Sequence, residues 1–177
     1  MKILALPGSL RAASLNSALL RVIARLAPAE ISIRQFDGMA HLPLFNPDLE
    51  HLNLLPVQSL REAIRAADVL LIASPEYAHG ITGVMKNALD WMVSCEVFVN
   101  KPVAILNASP RATHADASLR EIIKMMSGDI IADASITLAI VGARLDEEGM
   151  LADPGITADL RGALAAMQAH LSSRAAV

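Results

Sequence analysis

Apolar residues in this chain gather into short runs, and between the runs they recur at helical spacing. Runs of strand length stand at Lys2–Leu6, Ile31–Phe36, Val69–Ala73, Val103–Leu106 and Ser135–Val141. Such runs suit strands that are covered on both faces. The intervening segments Ser14–Leu26, Leu54–Ala66, Thr82–Ser94, Asp116–Met126 and Ile156–Leu171 carry the helical pattern. In the fourth, Leu119, Ile122, Ile123 and Met126 share one face, and in the fifth Ile156, Leu160, Leu164, Met167 and Leu171 do the same. Strands that alternate with helices predict an α/β chain with a doubly wound parallel sheet and helices on both faces.

Five strands and five helices in 177 residues predict a flavodoxin-like order of 2-1-3-4-5 in a single domain, with no repeat or linker dividing it. Two connections are longer than packing needs. Gly38–Glu50 carries Met39, Leu42, Leu44, Phe45 and Leu49, which predicts a packed loop or a contact between copies in a homodimer or homotetramer. Arg144–Gly155 reads as turns, at Asp146–Gly149 and Asp153–Gly155, that lead into the last helix.

Composition narrows the function. An apolar content of 54% with 19% charged residues describes a packed globular chain. Aromatic residues make up only 3% and the net charge is −3, which leaves neither stacking platforms nor a basic stripe for nucleic acid. A lone cysteine, Cys95, supplies no disulfide framework and no Cys-rich metal site, and is expected to be a small buried apolar residue. No apolar run approaches the roughly 18 residues of a membrane span, so a soluble cytoplasmic protein without a membrane or nucleic-acid partner is expected.

The loop after the third run, Ser74-Pro75-Glu76-Tyr77-Ala78-His79-Gly80, lies where ligands bind in open parallel sheets. The loop after the first run reads Gly8-Ser9-Leu10-Arg11-Ala12-Ala13-Ser14-Leu15-Asn16-Ser17 and opens a helix. Hydroxyls, an amide, a guanidinium and a helix N-terminus together suit a phosphate. The loop lacks the lysine and second glycine of a Walker loop and the three glycines of the dinucleotide fingerprint. Ser14 as a plain helix cap and Arg11 as an exposed charge remain the competing reading.

Taken together, Gly8-Ser9-Leu10-Arg11-x-x-Ser14-x-Asn16 and Pro75-Glu76-Tyr77-x-His79-Gly80-x-x-Gly83-Val84-x-Lys86-Asn87-Ala88-x-Asp90-Trp91 resemble the NADPH-dependent FMN reductase family, which is flavodoxin-like. The likeness extends through Leu42–Leu49 and Gly149–Asp153, nearly the whole chain. It implies FMN as cofactor, with NADPH or NADH as co-substrate, and a phosphate held by Ser9, Arg11, Ser14 and Asn16. It also implies a flavin ring lying along Pro75, Glu76, Tyr77 and Ala78, with Ser109 of a third loop on its other side. Two departures stand out. Ala78 replaces a common Asn, and Asn107–His114 retains Ser109 and Pro110 but carries Arg111 where the family has glycine. Arg111 is a candidate to reach the ring or an incoming nicotinamide phosphate.

No acid–base or metal set can be assembled from the sequence, so no catalytic residue and no metal ligand is expected, and the chemistry belongs to the cofactor. The resemblance implies a ping-pong oxidoreductase acting on quinones or similar small acceptors. A flavin-binding electron carrier or redox-sensing partner protein, or a relative that has lost flavin, remains open as an alternative. In the helix after the central loop, Lys86 and Asp90 form an i,i+4 pair, and Asn87 and Asp90 are expected to anchor the central loop or to make oligomer contacts rather than touch substrate.

Overall fold

A computed structural model describes residues 1–175. In chain order the elements are β1 (Lys2–Pro7), α1 (Leu15–Leu26), β2 (Ser32–Gln35), α2 (Leu55–Ala66), β3 (Val69–Ala73), a small hairpin of β4 (Glu76–Tyr77) and β5 (Gly80–Ile81), and α3 (Gly83–Asp90). They continue with β6 (Pro102–Asn107), α4 (Thr113–Met125), β7 (Asp129–Ile130), β8 (Ile136–Thr137), α5 (Ile140–Ala143), α6 (Glu147–Ala152) and α7 (Pro154–Ala175).

The central sheet runs β2-β1-β3-β6, all parallel, and β7 and β8 share the edge beyond β6. With the hairpin set aside, this is the predicted flavodoxin-like order. Successive strand residues face opposite layers, as the pleat requires. Ile3, Ala5, Val69 and Leu71 turn toward α1 and α7, whereas Leu4, Leu6, Leu70 and Ile72 turn toward α2, α3 and α4. Ala5 lies beside Leu71 and Leu71 beside Ala104, so each face is continuous across strands. Leu71 and Ile72 are fully buried, and burying a side chain of this size contributes about 1.5–3 kcal/mol.

The fifth strand departs from expectation. Of Ser135–Val141 only Ile136–Thr137 is extended, and Ile140–Ala143 is a short helix. The rest of that edge is supplied by Asp129–Ile130, a two-residue strand too short to read as an apolar run. A tight turn over Ala132–Ala134 separates the two pieces. Ser135 bridges the gap, because its hydroxyl accepts from the Ile105 amide at 3.1 Å and donates to the Ile131 carbonyl at 2.8 Å.

The helices also differ in places: α4 begins at Thr113 rather than Asp116, and α7 runs Pro154–Ala175. α3 ends at Asp90 rather than Ser94, and Cys95 lies beyond it, partly buried against the α2–α4 side of the core. Asp146–Gly149 is not a free turn. Asp146 caps α6 by accepting from the Gly149 amide at 2.8 Å, and Glu147 and Glu148 pair with Arg21 and Arg25 of α1. Asp153 does lead into the last helix, accepting from Gly155 and Ile156 at 2.9 and 3.0 Å, with Pro154 at the first helical position.

The long loop after β2 packs through Met39 and Leu42, both buried, and Phe45 meets Trp91 edge-on at 5.2 Å. Asn87 holds this loop rather than the central one: its carboxamide accepts from the Phe45 amide at 2.8 Å and donates to the Pro43 carbonyl at 2.9 Å. Trp91 Nε1 donates to the same carbonyl at 2.8 Å. Leu44 is left 84% exposed. Among the described residues no helix is long and apolar enough to cross a membrane.

Candidate functional site

Three loops meet at the carboxyl ends of β1, β3 and β6. The first is drawn against the second by close packing, since a Cβ at Gly8 would collide with Ser74. The Gly8 amide donates to the Ala73 carbonyl at 2.8 Å, and its carbonyl accepts from Thr82 Oγ1 at 2.7 Å. Thr82 also caps α3, accepting from the Met85 amide at 3.1 Å. Its hydroxyl is therefore shared between the two loops.

Within the first loop Ser9 Oγ accepts from the Arg11 amide and Ser14 Oγ from the Ser17 amide, each at 3.3 Å. Ser14 is thus the N-cap of α1, and it lies buried. Asn16 follows in the first turn of α1 and is 5% exposed. Its Oδ1 is buried and has no hydrogen-bond partner among the described residues. Buried polar atoms left unpaired are rare and call for a ligand or a specific explanation.

Asn16 lines a cavity of about 270 Å³ together with Ser74, Pro75, Glu76, Asn107, Ser109 and Arg111. Ser9 and Arg11 face a neighbouring cavity of about 290 Å³, with Ser17 and Gln35, on the other side of the first loop. Of the residues singled out in the sequence, Asn16, Pro75, Glu76 and Ser109 share one chamber, Ser9 and Arg11 share the next, and Ser14 supports the loop between them. Tyr77 is 52% exposed, and neither it nor Ala78 lines either cavity.

The second loop is a hairpin joined by Ala78 and His79, with φ of 48° and 59°. A two-residue turn with both residues left-handed matches the twist of a hairpin, but Asn and Gly adopt it far more readily than Ala. The hairpin is pinned to α4 at two points. Glu76 Oε2 accepts from the Ala115 amide at 2.8 Å, supplying the cap that Ala112, at the N-cap position, cannot provide. The imidazoles of His79 and His114 stack with centroids 4.4 Å apart and planes 15° from parallel.

The third loop closes without glycine. Asn107 Oδ1 accepts from the Ser109 amide at 3.0 Å, and its Nδ2 donates to the Ala112 carbonyl at 3.1 Å. The Ala112 amide donates to the Ser109 carbonyl at 3.0 Å, and no residue from Ala108 to Ala112 has positive φ. Side-chain hydrogen bonds do here what glycine freedom would otherwise do. Arg111 stands exposed at the cavity edge with no ion pair among the described residues.

Asn107 and Val141 are among the lining residues that were not singled out as site residues. Asn107 carried a usable signal, as the first polar residue after the buried run Val103–Leu106. Val141 carried none, because it reads as the end of a strand and instead sits in α5. Asp116, in the first turn of α4, pairs with Arg120 at 2.7 Å. Among the described residues no three His, Cys, Asp or Glu side chains gather as a metal site.

A family model described as NADPH-dependent FMN reductase matches residues 1–140. A Pseudomonas aeruginosa protein named NAD(P)H-dependent FMN reductase is 36% identical over 159 residues, covering 86% of this chain and 85% of that protein. An Escherichia coli K12 protein named quinone reductase is 28% identical, covering 94% of this chain and 93% of its own length. The solved structure of FerB from Paracoccus denitrificans, described as a flavoenzyme NAD(P)H:(acceptor) oxidoreductase, has a TM-score of 0.76. It is 23% identical, covering 96% of this chain and 98% of that one. At that identity the likeness speaks to the fold alone.

Proposed function

We propose, from the premise that the chain belongs to the NADPH-dependent FMN reductase family and is an NAD(P)H-dependent oxidoreductase using FMN, that it serves quinones or similar small acceptors by a ping-pong route. The observation that carries this reading is the buried, unpartnered Oδ1 of Asn16, which opens on a chamber bounded by all three loops. A carboxamide in that state is poised to pair with a polar ligand.

In this reading Ser9, Arg11, Ser14 and Asn16 would hold the phosphate end of FMN, where the N-terminus of α1 adds its own positive potential. Pro75, Glu76, Tyr77, Ala78 and Ser109 would border the ring. FMN, when bound, would supply two-electron redox chemistry between the nicotinamide and the acceptor. The chain's own part is to bind, orient and leave one side open. Glu76 accepts from the amide of Ala115 through Oε2, so it ties the hairpin to the start of α4. No residue is assigned a proton-transfer role.

The reading extends to a single domain working as a homodimer or homotetramer. The exposed Leu44, on a loop tied down by Asn87 and Trp91, supports that part. Sedimentation would test it, with a monomer at all concentrations as the contrary result.

Turnover is tested in three anaerobic steps on purified protein supplied with FMN. Flavin absorbance should be bleached by NADPH or NADH and should return when a quinone is added after the nucleotide has been removed. Bleaching without recovery would contradict quinones as acceptors. Recovery only while the nucleotide remains bound would contradict the ping-pong order.

A further inference from the structure

The two charged side chains on the wall of the 270 Å³ cavity are Glu76 and Arg111, and they differ in how they are used. Glu76 is engaged by the Ala115 amide at the start of α4. Arg111 has its backbone amide on Ser109 Oγ at 3.3 Å, which fixes where the side chain departs, while its guanidinium meets no carboxylate among the described residues. Arg11, which likewise has no ion pair among the described residues, lines the neighbouring chamber. Whatever enters the first chamber beside the cofactor therefore meets, in Arg111, a cation with no ion pair among the described residues, carried on a turn braced by side-chain hydrogen bonds.

We propose that Arg111 is a specificity-determining residue for the second substrate, pairing with an anionic group that this substrate carries into the chamber. This rests on the flavin reading above and deepens it. A guanidinium presents two parallel N–H groups to phosphate, sulfonate or carboxylate, and the pairing strengthens as the partners leave water. The anionic group has two sources, the 2′-phosphate that distinguishes NADPH from NADH, or an acidic substituent on the acceptor. No bond is made or broken by Arg111. Its effect is on binding of the charged compound.

The test compares wild type with Arg111→Ala, Arg111→Lys and Arg111→Glu in flavin-loaded protein. Calorimetry measures binding of NADP⁺ and NAD⁺ to the oxidised form, and rapid mixing measures reoxidation of the reduced form by a neutral quinone and its sulfonated derivative. Loss of a charge-assisted hydrogen bond lowers affinity by about 10- to 100-fold. Arg111→Ala should lose that factor for NADP⁺ relative to NAD⁺ if the phosphate is the source, or for the sulfonated quinone relative to its parent if the acceptor is. Arg111→Lys should recover part of the loss, and Arg111→Glu should deepen it. Unchanged ratios within both pairs would overturn the proposal. If flavin itself fails to bind to wild type, the parent reading fails instead, and FMN titration of each variant separates that outcome.

Discussion

Thr82 Oγ1 donates to the carbonyl of Gly8 across 2.7 Å while accepting from the amide of Met85, so one buried hydroxyl joins the first loop to the cap of α3. Thr82→Val keeps the shape and removes both bonds, leaving a cap and a buried carbonyl unsatisfied. The expected cost is about 2–3 kcal/mol, read from urea unfolding. Thr82→Ser should retain most of the stability. A loss in Thr82→Ser with none in Thr82→Val would show that the methyl group, not the hydroxyl, matters.

Asn87 governs the long loop after β2. Asn87→Ala removes partners of both the Phe45 amide and the Pro43 carbonyl, with an expected loss of about 1–3 kcal/mol and faster proteolytic cutting between residues 37 and 50. Asn87→Asp keeps the acceptor and should fall between. Wild-type cutting rates in Asn87→Ala would mean that Trp91 alone holds the loop.

The turn at Ala78 and His79 stores strain. Replacing the pair with Asn-Gly should stabilise the protein by about 1 kcal/mol, because both residues then occupy the left-handed region at lower cost. The gain should be smaller than the turn energetics suggest, since His79→Gly also gives up the stack on His114. A loss of stability would show that the stack outweighs the strain.

These positions mark where the sequence could be read and where it could not. Strands β1, β3 and β6 were legible because continuous burial on both faces leaves an unbroken apolar run, and Gly8 and Pro75 announced the loops at their ends. Asp129–Ile130 was not, because two residues make no run, and farther along the same edge the Ile105 amide is met by the Ser135 hydroxyl rather than by a strand. The helix Glu147–Ala152 hid behind Asp146 and Gly149, residues that serve turns and caps equally well. In the site, residue types singled out positions on three loops, and the fold brings Asn16, Pro75, Glu76 and Ser109 of them to one cavity. That Asn16 and Arg11 open on different chambers is a matter of side-chain direction, which spacing along the chain does not encode.

Arg11 offers a test of the phosphate end. Arg11→Ala should weaken FMN binding by about 10- to 100-fold and leave riboflavin, which lacks the phosphate, bound as in wild type. A comparable loss for riboflavin would show that the variant disturbs the loop rather than the charge contact.

Asn16 bears most directly on the assignment of the chamber. Its Oδ1 makes no hydrogen bond within the described residues, so Asn16→Leu should leave urea stability of the flavin-free protein unchanged or raised. The decisive measurement is a fluorescence titration of FMN into flavin-free wild type and Asn16→Leu. Binding at least tenfold weaker in the variant, without loss of stability, is the expected result; equal FMN affinity in the two proteins would contradict a flavin site built on Asn16.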